Sequence, residues 1–289
     1  MGFFDKLVKI LKDLWEKIKP GSDDSTPEDE ESSSESNEPT GGFWTQRASF
    51  LFDNAVTRGM NMLSYNTTDA IATSMMNRQK KNGDDTVWLY FSNQADGQPV
   101  PTTMYKALFG GEVSTDRIAS MIKRVSMYRA NGFKVVAWLT ADDSDSISNA
   151  SLATHKKYIG EVIKYFDHVI DAYCVGLEMN EPSDNRKNMA KDLITYCKSL
   201  TKKDVGVHLM KGTWSEAIQW GADTLYYQTG FGKSADQVKA ECASVISALA
   251  GRCKFVLSEY HKSSDSAEAK AIGQAAMTVP GCLGTGNGR

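Results

Sequence analysis

The 289-residue chain contains no apolar run approaching the roughly 20 residues needed to cross a bilayer as a helix. A helical membrane span is therefore excluded. It has only five cysteines, Cys174, Cys197, Cys242, Cys253 and Cys282, and no pair has the spacing of a zinc site. The thiols are expected to be buried and free, because they fall in or beside apolar strand-like and helix-like runs. No glycine-rich loop follows a strand in the manner that cradles phosphate. No metal and no organic cofactor is expected. Strong charge of one sign is also missing from most of the chain. The net charge is −3, and residues 22–38 hold eight acids and no base. Without those acids the rest stands at +5, a mild surplus over a large surface, so a nucleic-acid partner is not expected. A secretory signal is absent, since charges interrupt the N-terminal apolar positions at every turn. Lys6 stands where myristoylation needs Ser or Thr.

What is present divides into three segments. In residues 1–19, Phe3, Phe4, Leu7, Val8, Leu11, Leu14, Trp15 and Ile18 recur at helical spacing among lysines and acids. Pro20-Gly21 ends this amphipathic helix. Its apolar face must be covered by a membrane surface, a partner helix or groove, another copy, or the rest of the chain. Residues 20–42 are acidic, rich in Ser, Pro and Gly, and lack any large apolar side chain. They cannot offset the entropy of ordering and read as a disordered, self-repelling linker. A helix followed by such a tether suits docking on a membrane surface or on a protein assembly such as a virion.

Residues 43–289 alternate strand and helix patterns, the signature of a parallel α/β fold. The strand candidates are 57–63, 86–92, 133–140, 171–179, 204–210, 224–229, 254–259 and 279–284. Amphipathic helices are expected after Thr115, around Tyr158–Phe166, around Met189–Leu200 and after Ser234. Eight strands in this rhythm predict a (β/α)₈ TIM barrel, although the chain leaves no room for an eighth helix. The aromatic stretch 43–53 is expected to pack on the barrel floor or fill that gap.

Functional groups of such a barrel gather where the strands end, at its C-terminal face. The polar strand ends are Arg58 and Asn61 on the first, Asp142 and Asp143 after the third, and Asn180-Glu181-Pro182 after the fourth. His208 and Lys211, with Trp214 following, belong to the fifth; Tyr226, Tyr227 and Gln228 to the sixth; Glu259, Tyr260 and His261 to the seventh. Two carboxylates, 78 residues apart in sequence, would face each other across the barrel mouth. Cleaving a glycosidic bond with retention requires such a pair about 5–5.5 Å apart, one as nucleophile and one as acid/base.

Gly176-Leu177-Glu178-Met179-Asn180-Glu181-Pro182 resembles the strand-four motif of clan A glycoside hydrolases, and Leu257-Ser258-Glu259-Tyr260 resembles their strand-seven nucleophile. Arg58-Gly59-Met60-Asn61 is similar to the opening strand of family 5. The resemblance covers roughly residues 54–284. It implies hydrolysis of a polysaccharide or oligosaccharide through a covalent glycosyl-enzyme, with Glu181 as acid/base and Glu259 as nucleophile. It further implies that Asn180 hydrogen-bonds the sugar 2-hydroxyl and that Tyr227, or its neighbour Tyr226, holds the nucleophile ionised. Trp214 and Trp138 are candidate stacking platforms, and His208 and His261 candidate subsite residues. His155, His168 and Glu178 are expected to be structural. The clan's tryptophan after strand eight and the basic residues of strands two and three have no match here. The competing reading is a carbohydrate-binding or adhesion protein on the same barrel, without catalysis.

Overall fold

A computed structural model describes residues 48–50, 69–90, 115–140, 150–181, 185–261 and 266–286. Within them a strand is followed by a helix seven times. The strands are β1 (Ala48–Phe50), β2 (Thr86–Tyr90), β3 (Lys134–Trp138), β4 (Ala172–Cys174), β5 (Asp204–Leu209), β6 (Thr224–Gln228), β7 (Lys254–Glu259) and β8 (Cys282–Thr285). The helices are α1 (Asp69–Asn82), α2 (Thr115–Ala130), α3 (Leu152–Phe166), α4 (Ala190–Leu200), α5 (Ser215–Trp220), α6 (Ala235–Leu249) and α7 (Ala267–Met277), with a 3₁₀ turn, Asn185–Met189, leading into α4.

All eight strands lie parallel in one sheet, in sequence order. Strands covered on both faces read as nearly continuous apolar runs, and those of β3, β5 and β7 are buried from their second residue onward. The sheet curls on itself. Trp88 of β2, Trp138 of β3, Cys174 of β4, Tyr226 of β6 and Val256 of β7 meet in one cluster, with Leu283 of β8 packed against it. Beyond β8, a Cβ added at Gly286 would lie 2.6 Å from the Trp88 ring. Early and late strands can share a core in this way only if the sheet closes round it. The chain therefore forms the (β/α)₈ barrel that its pattern predicts.

The interior is filled by aromatic rings. Trp88 and Trp138 stand 5.3 Å apart, and Tyr226 meets them edge-on at 5.6 and 5.3 Å. Each such pair contributes about 0.5–1.5 kcal/mol beyond the area it buries. At the opposite end, aspartates just ahead of strands or at their first residue fix the register. Asp171 accepts from the Val135 amide at 2.8 Å and Asp223 from the Val205 amide at 3.0 Å. Asp204 accepts from Thr224 at 2.5 Å and Lys254 at 2.7 Å.

The helices obey their local signals. Ser151 caps α3, which buries His155, Tyr158, Ile159, Val162, Ile163 and Phe166 along one stripe. Ser234 and Gln237 form a reciprocal capping box on α6, and Ser266 caps α7. Gly221, at φ 77°, terminates α5 in the left-handed region. All five cysteines are buried and free. No described helix is long and apolar enough to cross a membrane.

Seven strand expectations hold to within a few residues. The expected first strand, 57–63, lies outside the described residues; the strand that pairs with β2 is Ala48–Phe50, from the stretch expected to pack on the barrel floor or fill the gap of the eighth helix. Three residues carry too little periodicity to reveal a strand. The helices α1, α5 and α7 were not expected either. The amphipathic segment 1–19 and the linker 20–42 lie outside the described residues.

Candidate active site at the strand ends

Because every strand runs in the same direction, the ends of β4, β5, β6 and β7 open on one rim. The exit of β4 is built by bonds on both sides. On one side, Thr140, just beyond β3, donates from Oγ1 to the Val175 carbonyl at 2.8 Å. Arg186 donates from Nη1 to Thr140 Oγ1 at 2.9 Å and from Nη2 to the Leu177 carbonyl at 3.0 Å. Thr140 and Arg186 are both fully buried. Gly176 is glycine because a Cβ there would come within 2.5 Å of Thr140 Oγ1 and 2.7 Å of Met179 Sδ.

On the other side, the exit is pinned to β5. The Glu178 amide donates to His208 Nδ1 at 3.0 Å, and the Met179 amide to the His208 carbonyl at 3.2 Å. Asn180 Oδ1 accepts from the Met210 amide at 2.9 Å, while Nδ2 donates to the Met210 carbonyl at 3.4 Å and to Thr213 Oγ1. Glu178 itself adopts φ 46°, in the left-handed region. A non-glycine residue held there costs about 1–3 kcal/mol and persists only when its surroundings dictate it. The Glu181 amide closes the turn on the Glu178 carbonyl at 3.0 Å. Glu181 is half-buried at the rim.

The exit of β7 depends on a register shift. Tyr226 faces Val256 and Tyr227 faces Leu257, but Gln228 faces Glu259, leaving Ser258 as an extra residue. Opposed residues share a face of the sheet, and side chains alternate along each strand. Tyr226 points inward, so Gln228 does too, and the bulge turns Glu259 inward with it. An unbroken ladder would have aimed residue 259 at the helices. Re-aiming a side chain beside a site is a recurrent use of a bulge. Glu259 is 4% exposed.

Several expected site residues occupy other roles. Tyr227 points outward: its hydroxyl donates to Glu241 of α6 at 2.9 Å and accepts from the Gly212 amide at 3.2 Å, so it does not steady Glu259. Burial, then the nearby Glu241, pushes its phenol pKa up, opposed by the Gly212 amide. Tyr226 and Trp138 are wholly enclosed in the barrel core, which removes both from the sugar-facing surface. His208 is also fully buried, its ring 5.2 Å from Trp138, and serves the β4 exit. The Asn180 side-chain nitrogen meets the Met210 carbonyl and Thr213 Oγ1 at the β5 exit. Trp214 is half-buried at the start of α5. His261 reaches Glu268 of α7 at 3.4 Å. Arg58, Asn61, Asp142 and Asp143 lie outside the described residues.

Sequence reasoning missed Arg186 and Thr140 as parts of this rim, while Gln228 was among the strand ends it named. A lone Arg three residues past Asn-Glu-Pro-Ser looks like a solvated helix start, and only the fold shows it buried. Among the described residues no cluster of His, Cys, Asp and Glu could hold a metal ion.

A parallel eight-stranded barrel with acidic groups at the ends of β4 and β7 defines the architectural class. The comparisons give it a narrower setting. No protein-family model and no curated protein sequence matches the chain. Among solved structures, the barrel is similar to the GH113 β-mannanase of Alicyclobacillus acidocaldarius in complex with ManMIm, with TM-score 0.55 and 15% identity, covering 84% of this chain and 86% of that one. It is similar to a GH5_18 protein of Bifidobacterium longum in complex with Manβ1-4GlcNAc, at TM-score 0.61 and 9% identity over 84% and 68% of the two chains. A Cellvibrio japonicus xylanase matches at TM-score 0.53 and 11% identity over 86% of each. At such identities the shared property is the fold, which is that of these glycoside hydrolases.

Proposed function

We propose that the protein is a retaining glycoside hydrolase acting on a β-linked polysaccharide or oligosaccharide. In this reading Glu259 attacks the anomeric carbon while Glu181 gives its proton to the leaving oxygen, and the glycosidic C–O bond breaks as the glycosyl–Glu259 ester forms. Glu181, now a carboxylate, then takes a proton from water, which attacks the anomeric carbon and releases Glu259. No metal or organic cofactor enters these steps. The observation that carries the reading is the register shift at Ser258, which sets the buried Glu259 opposite Gln228 at the strand ends. A core packed for stability alone has no need of an inward carboxylate at a strand end.

The mannanase, xylanase and Manβ1-4GlcNAc-bound protein among the structural relatives suggest where to begin. Reducing-end release should be measured on β-mannan, xylan and β-glucan, followed by mass spectrometry after a 2-deoxy-2-fluoro glycosyl fluoride of the cleaved sugar. A label on Glu259 is expected. Binding without release, unchanged in E181Q and E259Q, would instead make the barrel a carbohydrate-binding protein.

Residues 1–19 are proposed to dock on a membrane surface or protein assembly such as a virion, with 20–42 as the tether. A chain lacking residues 1–42 should keep catalysis and lose attachment; a truncated chain that fails to fold would refute the tether.

A further inference from the structure

We propose that Arg186 is a positioning residue that sets the aim of Glu181. The inference rests on the glycosidase reading and adds to it a part that neither motif contains.

The Arg186 guanidinium is withdrawn entirely from solvent, although an arginine is among the residues most costly to desolvate. Such burial is sustained only by well-directed partners. Two lie at defined places: Thr140 Oγ1, at the exit of β3, and the Leu177 carbonyl, at the exit of β4. The bond to Leu177 spans nine positions in sequence and fixes the exit of β4 four residues ahead of Glu181.

That exit is anchored further upstream. Thr140 passes the restraint on to Val175, two residues ahead of Leu177, through its own hydroxyl. Gly176 lacks the side chain that would displace that hydroxyl. Downstream, Arg186 belongs to the 3₁₀ turn that starts α4. The opposite flank, from Glu178 to Asn180, is tied to β5. The backbone leading into Glu181 is thus held from both sides, at Leu177 by Arg186 from the β3 side and at Glu178 to Asn180 from β5. The planar fork of arginine can address two acceptors at once, which the single ammonium of lysine cannot do with the same geometry.

An acid that protonates a leaving oxygen must stand within hydrogen-bond reach of it, and a misplacement of about 1 Å costs on the order of 100-fold. Loosening the clamp should therefore harm the proton-transfer step specifically. A residue that merely held the barrel together would harm every substrate alike.

The test uses the full chain and two leaving groups on one sugar: 2,4-dinitrophenol, which departs without protonation, and phenol, which needs it. The glycosides are the β-mannoside, cellobioside and xylobioside pairs, taking the sugar that the wild type cleaves. In R186K, kcat/KM, which reports the glycosylation step alone, should fall about 100-fold for the phenyl glycoside and less than about 10-fold for the dinitrophenyl glycoside. The ratio should move toward that of E181Q. T140V, which keeps shape and removes the hydroxyl, should move it the same way and carries the test if R186K does not fold. Equal losses on both leaving groups, or no loss, in a folded variant would overturn the role of Arg186 and leave the glycosidase reading standing. A wild type that cleaves no member of the panel and no glycan would sink that reading, and the inference with it.

Discussion

Gln228 and Glu259 stand opposite each other across β6 and β7, one residue out of step with the ladder that pairs Tyr227 to Leu257. The role proposed for Glu259 follows from that offset. It converts a position that alternation would assign to the outer layer into one that faces the barrel axis. The Gln228 amide oxygen is itself buried without a hydrogen-bond partner among the described residues, and so offers an acceptor beside Glu259.

The offset makes an unusual prediction about a deletion. Removing Ser258 takes away the extra residue and leaves Glu259 opposite Gln228, on the inner face. Such a variant should retain activity within about 100-fold of wild type, the cost of imperfect aim. E259Q, which removes the attacking oxygen, should lose about 10⁴-fold or more on the same substrate. Steady-state rates on a dinitrophenyl glycoside decide it: a deletion as inactive as E259Q would mean that residue 259 does not act from the inner face.

Ser258 has a second consequence. Its hydroxyl is fully buried and has no hydrogen-bond partner among the described residues. Leaving such a group unpaired costs about 1–3 kcal/mol. S258A should therefore melt at the same temperature as wild type or a few degrees higher, since about 1 kcal/mol moves a domain of this size by roughly 2–4 °C. A clear drop in Tm would indicate a partner for the hydroxyl.

The outward setting of Tyr227 separates stability from chemistry. Its phenol joins Glu241 and the Gly212 amide, and Glu241 also pairs with Lys233. Y227F should cost about 1–2 kcal/mol in urea unfolding, with kcat/KM within about threefold of wild type. A loss of several orders of magnitude in kcat at unchanged stability would return Tyr227 to the reacting centre.

Burial drives the pKa of every thiol upward, that of Cys282 to about 11 and that of Cys253 to about 12. The thiolate is the reactive form, so at pH 8 the folded protein should consume almost no Ellman's reagent, and the unfolded protein five equivalents. Rapid reaction of even one native thiol would contradict its placement.

The strand-helix alternation, the five apolar strands from β3 to β7 and the helix start at Ser234 were legible in sequence. Each depends on contacts within a few residues, and hydrophobic period and cap chemistry write those directly. The two rim glutamates were legible as positions for the same reason, since a strand end is a local feature. The first strand was not, because Ala48–Phe50 owes its strand state to pairing with β2 rather than to its own pattern.

The sequence by itself determined a barrel and named the residues at its rim. Tertiary structure alone decided which way those residues point. Period-two alternation predicts facing only along an unbroken ladder, and a single bulge inverts it; hence Glu259 turned in, while Tyr227, one strand away on a regular stretch, turned out. Nor could composition separate a solvated arginine from the buried clamp at Arg186, because its partners Thr140 and Leu177 lie 46 and 9 positions away and meet it only once β3 and β4 are side by side.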